Sequence, residues 1–202
     1  MKHVLEAGVK LVDADRALIL LHGRGGSAED ILGLADHLPV DGYALLAPQA
    51  PDSSWYPLSF LAPPVRNQPF LDASLRLLGE LVAETLAAGI GREKLFFAGF
   101  SQGACLTLEF VARHATRYGG VVAFTGGLIG DRISPENYSG AFDGTPFFIT
   151  GGEPDPHVPA DRVRATVKVL REMGAAVNER LYPGRPHTIL ADELAQAAKL
   201  FR

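Results

Sequence analysis

The sequence predicts an α/β fold, with a mostly parallel central sheet and helices on both of its faces. Short apolar runs such as "ALILLHG" at 17–23 are typical of strands that are buried on both faces. Segments with apolar residues at helical spacing follow several of these runs, and glycine-bearing turns lie between them. Strands that alternate with helices form parallel sheets through right-handed crossovers, which gives the predicted architecture.

The first half of the chain supplies two strands and two helices after residue 16. A helix follows the strand at 17–23, because Ser27 with an acid three residues later is close to a capping box. A second strand is predicted at 43–50, and the Pro- and aromatic-rich residues 51–70 read as a long surface loop. Asp72 is predicted to cap the next helix, which should end near Gly89.

The second half continues the alternation. Its predicted strands lie at 94–100, 119–127, 145–152 and 177–184, and its predicted helices at 102–115, 160–173 and 188–201. Ligands of such sheets bind at the carboxyl ends of the strands. Residues that bind a ligand or carry chemistry should therefore lie in the loops at this edge.

Composition restricts the class of protein. A chain of 202 residues with 47% hydrophobic residues fits a single domain spanning 1–202. The net charge of −4 and the scattered basic residues argue against nucleic acid as a partner. The lone Cys105 and an N-terminus without a signal-peptide or membrane-spanning pattern predict a soluble cytoplasmic protein with no integral membrane association.

The pentapeptide 99–103, Gly-Phe-Ser-Gln-Gly, places Ser101 between a buried run and a helix. It matches G-x-S-x-G, in which a serine nucleophile sits on a tight strand-to-helix turn and glycines avoid collisions with neighbouring backbone. The alternative is that Ser101 only caps the helix.

A serine nucleophile needs a base and an acid that orients it, in the chain order Ser, Asp or Glu, His. Asp155 follows a predicted strand, and His187 lies between the last strand and the last helix. Glu153 and His157 are the competing acid and base. Asp155 and His187 are preferred because His187 follows the final strand, as the chain order requires.

An attacked carbonyl also needs donors for its negative charge. The backbone amide of Gln102, at the start of the helix, is predicted to be one donor, and the amide of Arg24 in "HGRGG" the other. We expect His22 to brace that loop. Trp55, Phe60 and Leu128 are candidates for an apolar acyl pocket, and packing in the core is the equal alternative for them.

These stretches resemble the phospholipase/carboxylesterase family of α/β-hydrolases, a group of small lidless esterases related to acyl-protein thioesterases. The resemblance rests on "LHGRGG" at 21–26, "GFSQGA" at 99–104, "DPHVP" at 155–159 and "YPGRPH" at 182–187. It implies an α/β-hydrolase fold and a cofactor-free serine esterase with these triad and oxyanion residues. Homodimers are frequent in the family, and small-molecule or lipid esters are the implied substrates.

Within this resemblance three functions remain open. The first is hydrolysis of carboxylic esters or thioesters through an acyl-enzyme. The second is a dienelactone-type or peptide hydrolase on the same scaffold, and the third is a non-catalytic binding protein. The sequence lacks H-E-x-x-H and other metal-ligand spacings, so no metal site is predicted.

Overall fold

A single mixed sheet organises the part of the chain, residues 3–202, that the computed structural model describes. Its seven strands are β1 (Val4–Gly8), β2 (Arg16–Leu21), β3 (Tyr43–Pro48), β4 (Leu95–Phe100), β5 (Gly120–Phe124), β6 (Pro146–Glu153) and β7 (Ala176–Pro183). They lie in the order β1-β3-β2-β4-β5-β6-β7. Only β1 runs antiparallel to its neighbour, so the prediction of a mostly parallel sheet is confirmed.

Helices connect most of the parallel strands, but β5 and β6 are joined by a loop with one short 3-10 turn, and a final helix follows the last strand. The helices of the described range are α1 (Ala28–Leu32), α2 (Phe70–Ala87), α3 (Gln102–Arg113), α4 (Ala160–Glu172) and α5 (Ala191–Ala197), with short 3-10 turns between them. Within that range no helix combines the length and the apolar character needed to cross a membrane.

Both faces of the sheet are buried, as β2 illustrates. Ile19 and Leu21 pack into a core with residues of α2, α3 and α4. The alternate residues Leu18 and Leu20 pack into a second core with residues of α1 and α5. Successive strand side chains point to opposite faces, so the continuous apolar run in the sequence reflects burial on both sides.

Several predicted boundaries are confirmed and one cap is wrong. Ser27 and Asp30 form the capping box of α1. The helix predicted from Asp72 begins at Phe70 instead. Asp72 thus lies inside the first turn, where the side chain of Gln68 accepts from its amide and donates to its carboxylate.

Two features at the ends of the chain differ from the sequence prediction. Strand β1 was not predicted, because its pairing with β3 as an edge strand leaves most of it exposed and without an apolar run. The last helix begins at Ala191, three residues later than predicted. Glu193 fixes this start because its carboxylate accepts from the amide of Leu190.

Candidate active site

Three parallel strands end at one edge of the sheet and deliver the predicted triad there. Ser101 directly follows β4, Asp155 lies two residues after β6, and His187 lies in the loop between β7 and α5. Parallel strands place their carboxyl ends at the same edge. The fold therefore brings together side chains that are far apart in sequence.

The turn that carries Ser101 has an unusual backbone. Ser101 adopts φ 53° and ψ −116°, a region that few non-glycine residues occupy. A Cβ on Gly99 would lie 2.7 Å from the carbonyl carbon of Gly103, and a Cβ on Gly103 would collide with the carbonyl of Leu21. The two glycines thus permit the close approach of β4, α3 and β2 that this turn requires.

The side chain of Ser101 is turned away from the helix it precedes. It makes no capping bond to α3, although it occupies the N-cap position. Its Oγ lies 2.8 Å from Nε2 of His187. The geometry therefore does not support the alternative that Ser101 serves as a helix cap.

The other imidazole nitrogen of His187 faces Asp155. Its Nδ1 lies 2.8 Å from Oδ2 of Asp155, and the carboxylate acceptor places the proton on Nδ1, which leaves Nε2 free to accept from Ser101. Burial by itself would raise the pKa of Asp155. Hydrogen bonds from His187 and from the amides of Val158 and His157 outweigh burial, so the pKa of this carboxyl lies below its usual value.

The competing acid and base occupy other positions. Glu153 pairs with Arg164 at 2.6 Å on the exposed surface. The ring of His157 packs edge-on against His187, with 4.9 Å between the ring centroids, and lines the same cavity. Neither side chain is in the hydrogen-bonded chain that ends at Ser101.

Both residues whose backbone amides were predicted to be oxyanion donors lie beside Ser101 at the cavity. Gln102 is the first residue of α3, where the helix dipole favours negative charge. Arg24 lies in the loop after β2, and its side chain and that of Ser101 line the same cavity. Within residues 3–202 neither amide is bonded to a protein acceptor, so both remain able to donate.

His22 braces the loop that holds Arg24. Its Nδ1 lies 2.7 Å from the carbonyl oxygen of Gly23, and its Nε2 accepts from the amide of Ala50 at 3.1 Å. These partners define a neutral imidazole with the proton on Nδ1. Burial lowers the pKa of His22 and keeps it in this neutral form.

A cavity of about 740 Å³ opens beside Ser101. This volume is typical of a small-molecule site. Its apolar wall includes Phe60 and Leu58 from the loop after β3 and Val158 from the loop after β6. Of the three predicted pocket residues, Phe60 is the one that lines this cavity.

The other two predicted pocket residues are buried in the core away from the cavity lining. Trp55 is 1% exposed, stacks on His22 and donates from its indole nitrogen to the His22 carbonyl. Leu128 is fully buried, and its amide donates to Thr166. These contacts favour the packing alternative for Trp55 and Leu128.

Cys105 contributes to the cavity lining one helical turn after Ser101. Burial raises the pKa of its thiol to about 12, so the thiol stays protonated at neutral pH. Cys105 is therefore not present as the nucleophilic thiolate. Across residues 3–202 no group of three His, Cys, Asp or Glu side chains is arranged to hold a metal ion.

The sequence pattern that defines the phospholipase/carboxylesterase family matches residues 9–202. The chain belongs to this family. The family is one of hydrolases that cleave carboxylic esters or thioesters, so the chain is a hydrolase of the carboxylesterase class.

Individual phospholipase/carboxylesterase relatives agree with this assignment. A crystal structure of a phospholipase/carboxylesterase from Dyadobacter fermentans is 52% identical, covers 100% of this chain and 97% of its own, and superposes with a TM-score of 0.98. Acyl-protein thioesterase 1 of Eremothecium gossypii is 29% identical over 87% of this chain and 82% of its own length. Acyl-protein thioesterase 1 of Gibberella zeae is 27% identical over 64% of this chain, and the match spans only 56% of that relative.

One buried residue near the triad was not recognised in the sequence. Arg185, two residues before His187, donates to Thr125 at 2.6 Å and to the carbonyl of Thr188, and lies 3.4 Å from the carboxylate of Glu193. An arginine in a loop is ordinarily exposed, so nothing in the sequence indicated that Arg185 is buried. Its pairing with Glu193, eight residues later, is recognisable only in the structure.

Proposed function

We propose that this protein hydrolyses carboxylic esters through an acyl-enzyme, with Ser101 as nucleophile, His187 as general base and Asp155 as the acid that orients the base. The observation that carries the proposal is the unbroken chain of hydrogen bonds from Ser101 Oγ through His187 to Asp155, each 2.8 Å long. Ser101, at one end of this series of hydrogen bonds, lines an open cavity that is large enough for a small ester.

In the first half of the reaction, Nε2 of His187 takes the hydroxyl proton as Oγ of Ser101 bonds to the ester carbonyl carbon. The ester C–O bond then breaks, and the imidazolium gives its proton to the departing alcohol. In the second half, water attacks the acyl-serine with His187 as base, and the acid leaves as Ser101 regains its proton. Asp155 stays ionised throughout, in keeping with its lowered pKa.

The tetrahedral oxyanion is held by the amides of Arg24 and Gln102 in this proposal. Their availability as donors supports the assignment. Each such donor contributes about 10²- to 10³-fold to the rate in other serine hydrolases. The wall formed by Phe60 and its apolar neighbours would receive the acyl group of a small-molecule or lipid ester.

A thioester would follow the same steps, with a thiol as the leaving group. The thioesterase relatives are the reason to test thioesters as substrates.

We also propose that residues 1–202 form one domain, since strands from both halves of the chain share one sheet. The cytoplasmic location, the absence of a cofactor and the homodimer remain proposals. Light scattering on a size-exclusion column tests the last.

The proposal is tested with short p-nitrophenyl esters and a purified Ser101→Ala variant. We expect hydrolysis by the wild type and a loss of about 10⁴-fold or more in kcat for the variant, at an unchanged melting temperature. The exposed Ser139→Ala serves as the matched control and should retain full activity. Hydrolysis that persists in Ser101→Ala would overturn the proposed nucleophile.

A further inference from the structure

Arg24 lies in a glycine-rich turn that must hold its amide in place. Arg24 lies between Gly23 and Gly25, and Gly26 follows. Glycine has the largest choice of backbone conformations, and Gly25 adopts φ +77°. An oxyanion donor acts only if its N–H is already aimed at the position where the charge develops. Backbone bonds hold both sides of this turn, from the Gly25 amide to the Ser53 carbonyl at 2.7 Å and from the Gly26 amide to the Gly23 carbonyl at 3.1 Å. The direction of the unbonded Arg24 amide between them needs a further restraint.

The side chain of Arg24 adds this further restraint. One terminal nitrogen donates to Oγ of Ser54 and to the carbonyl of Pro57, both at 2.9 Å. The other donates to the carbonyls of Tyr56 at 2.9 Å and Leu58 at 2.7 Å. All four terminal donors of the fork are thus bonded to residues 54–58.

These acceptors are neutral, and no carboxylate within residues 3–202 pairs with Arg24. The arrangement therefore uses the geometry of the guanidinium fork. A lysine ammonium cannot reproduce it, because its donors radiate from one atom.

The second oxyanion residue is attached to the same segment. The carboxamide of Gln102 accepts from the amide of Trp55 at 3.0 Å and donates to the carbonyl of Tyr56 at 2.8 Å. Arg24 and Gln102 thus share the Tyr56 carbonyl as an acceptor. The backbone of Gln102 is already fixed by helix α3, whereas that of Arg24 has no regular structure to fix it.

We propose that the guanidinium of Arg24 is a positioning residue for ester hydrolysis. The guanidinium bonds to residues 54–58 and so fixes the position of the Arg24 amide relative to the Gln102 amide. The Tyr56 carbonyl links the two residues, because both side chains donate to it. This inference rests on the proposed function. It concerns the Arg24 side chain, whereas the oxyanion assignment concerns only its backbone.

Residues 54–58 have other attachments that do not involve Arg24. The carbonyl of Trp55 accepts from Ser74 at 2.7 Å, and the amide of Leu58 donates to Asn67 at 2.9 Å. Both partners are buried. Loss of the guanidinium should therefore leave this segment and the backbone bonds of Gly25 and Gly26 in place, and loosen mainly the peptide of Arg24.

The experiment compares the wild type with Arg24→Met and Arg24→Lys. Methionine keeps an unbranched stem without donors. Arg171→Met is the matched control, since its exposed guanidinium also donates to a backbone carbonyl, that of Val177 near the start of β7, at the opposite edge of the sheet. We would measure kcat and KM with p-nitrophenyl acetate, and the Ki of a small trifluoromethyl ketone, which forms a tetrahedral adduct with the serine.

For Arg24→Met we expect kcat to fall about 10- to 100-fold, because a displacement near 1 Å has effects of this size. KM should change less than about threefold, and Ki should rise by the same factor by which kcat/KM falls. Arg24→Lys should recover only part of kcat, and Arg171→Met should match the wild type.

The inference is overturned if Arg24→Met retains kcat within about twofold of the wild type. It is also overturned if kcat falls while the ketone Ki stays constant, since the loss would then lie outside the oxyanion site. Reaction of a fluorophosphonate with the wild type separates the two proposals. A wild type that fails to react at Ser101 contradicts the proposed function, whereas a reactive wild type with a fully active Arg24→Met contradicts only the positioning role.

Discussion

Nε2 of His187 lies 2.8 Å from Oγ of Ser101, although 86 residues separate the two in the chain. Strands β5, β6 and β7 intervene, and each returns the chain to the same edge of the sheet. The contact is thus a consequence of the parallel topology. It also defines the direction of proton transfer, because Nδ1 of His187 is committed to Asp155.

Asp155→Asn tests the role of the hydrogen bond between Nδ1 of His187 and Asp155. An asparagine side chain can donate to Nδ1, and this would place the imidazole proton on Nε2, where it cannot accept from Ser101. We expect kcat with p-nitrophenyl acetate to fall about 10⁴-fold at neutral pH. The matched control is Glu153→Gln, which removes only an exposed pairing with Arg164. Equal losses in the two variants would show that Asp155 is not the orienting acid.

Phe60→Ala should alter the preference for acyl-chain length, because Phe60 lines the cavity beside Ser101. We expect kcat/KM for hexanoate relative to acetate esters to change by about 5-fold or more, from the loss of roughly 1 kcal/mol or more of apolar contact. Trp55→Ala is the comparison, since Trp55 packs on His22. It should lower stability, and a changed length profile in Trp55→Ala alone would contradict this division of roles.

Because His22 is buried as a neutral imidazole, we expect the protein to lose stability in mild acid. Burial lowers its pKa in the folded state, so the unfolded chain binds a proton first as the pH falls below about 6.5. Protonation of Nε2 would also remove the acceptor for the amide of Ala50. The free energy of unfolding, measured in urea, should therefore fall between pH 7 and about pH 5.5.

His22→Gln should flatten this pH dependence, whereas the exposed His37→Gln should leave it as in the wild type. An unchanged slope in His22→Gln would assign the acid sensitivity to other groups.

Arg185, in the loop that carries His187, forms a buried ion pair with Glu193 of α5. Replacing one partner leaves an uncompensated buried charge, so Arg185→Met alone should cost about 3 to 5 kcal/mol of unfolding free energy. The double variant Arg185→Met with Glu193→Leu should cost less than the sum of the two single changes. Urea unfolding of all four proteins completes the cycle, and additive losses would show that the pair is not coupled.

Much of this site can be predicted from the sequence, because several of its features correspond to short patterns of consecutive residues. The glycine pattern around Ser101, the continuous apolar strands and the Ser27 capping box can each be recognised within a few consecutive residues, and all are found in the structure. The order of Ser101, Asp155 and His187 follows from the alternation of strands and helices.

Other features depend on contacts that no local pattern records. The stretch 54–60 contains Trp55, Tyr56 and Phe60, and the sequence could not tell which ring faces the cavity. Trp55 is directed into the core by bonds to His22 and Gln102. Strand β1 and the four bonds of Arg24 likewise depend on distant partners.

Mapping of a fluorophosphonate adduct by mass spectrometry tests whether Ser101 is the nucleophile. We expect one adduct per chain, located on Ser101, and no adduct in Ser101→Ala. An adduct on another residue, or labelling that persists in Ser101→Ala, would contradict this role of Ser101.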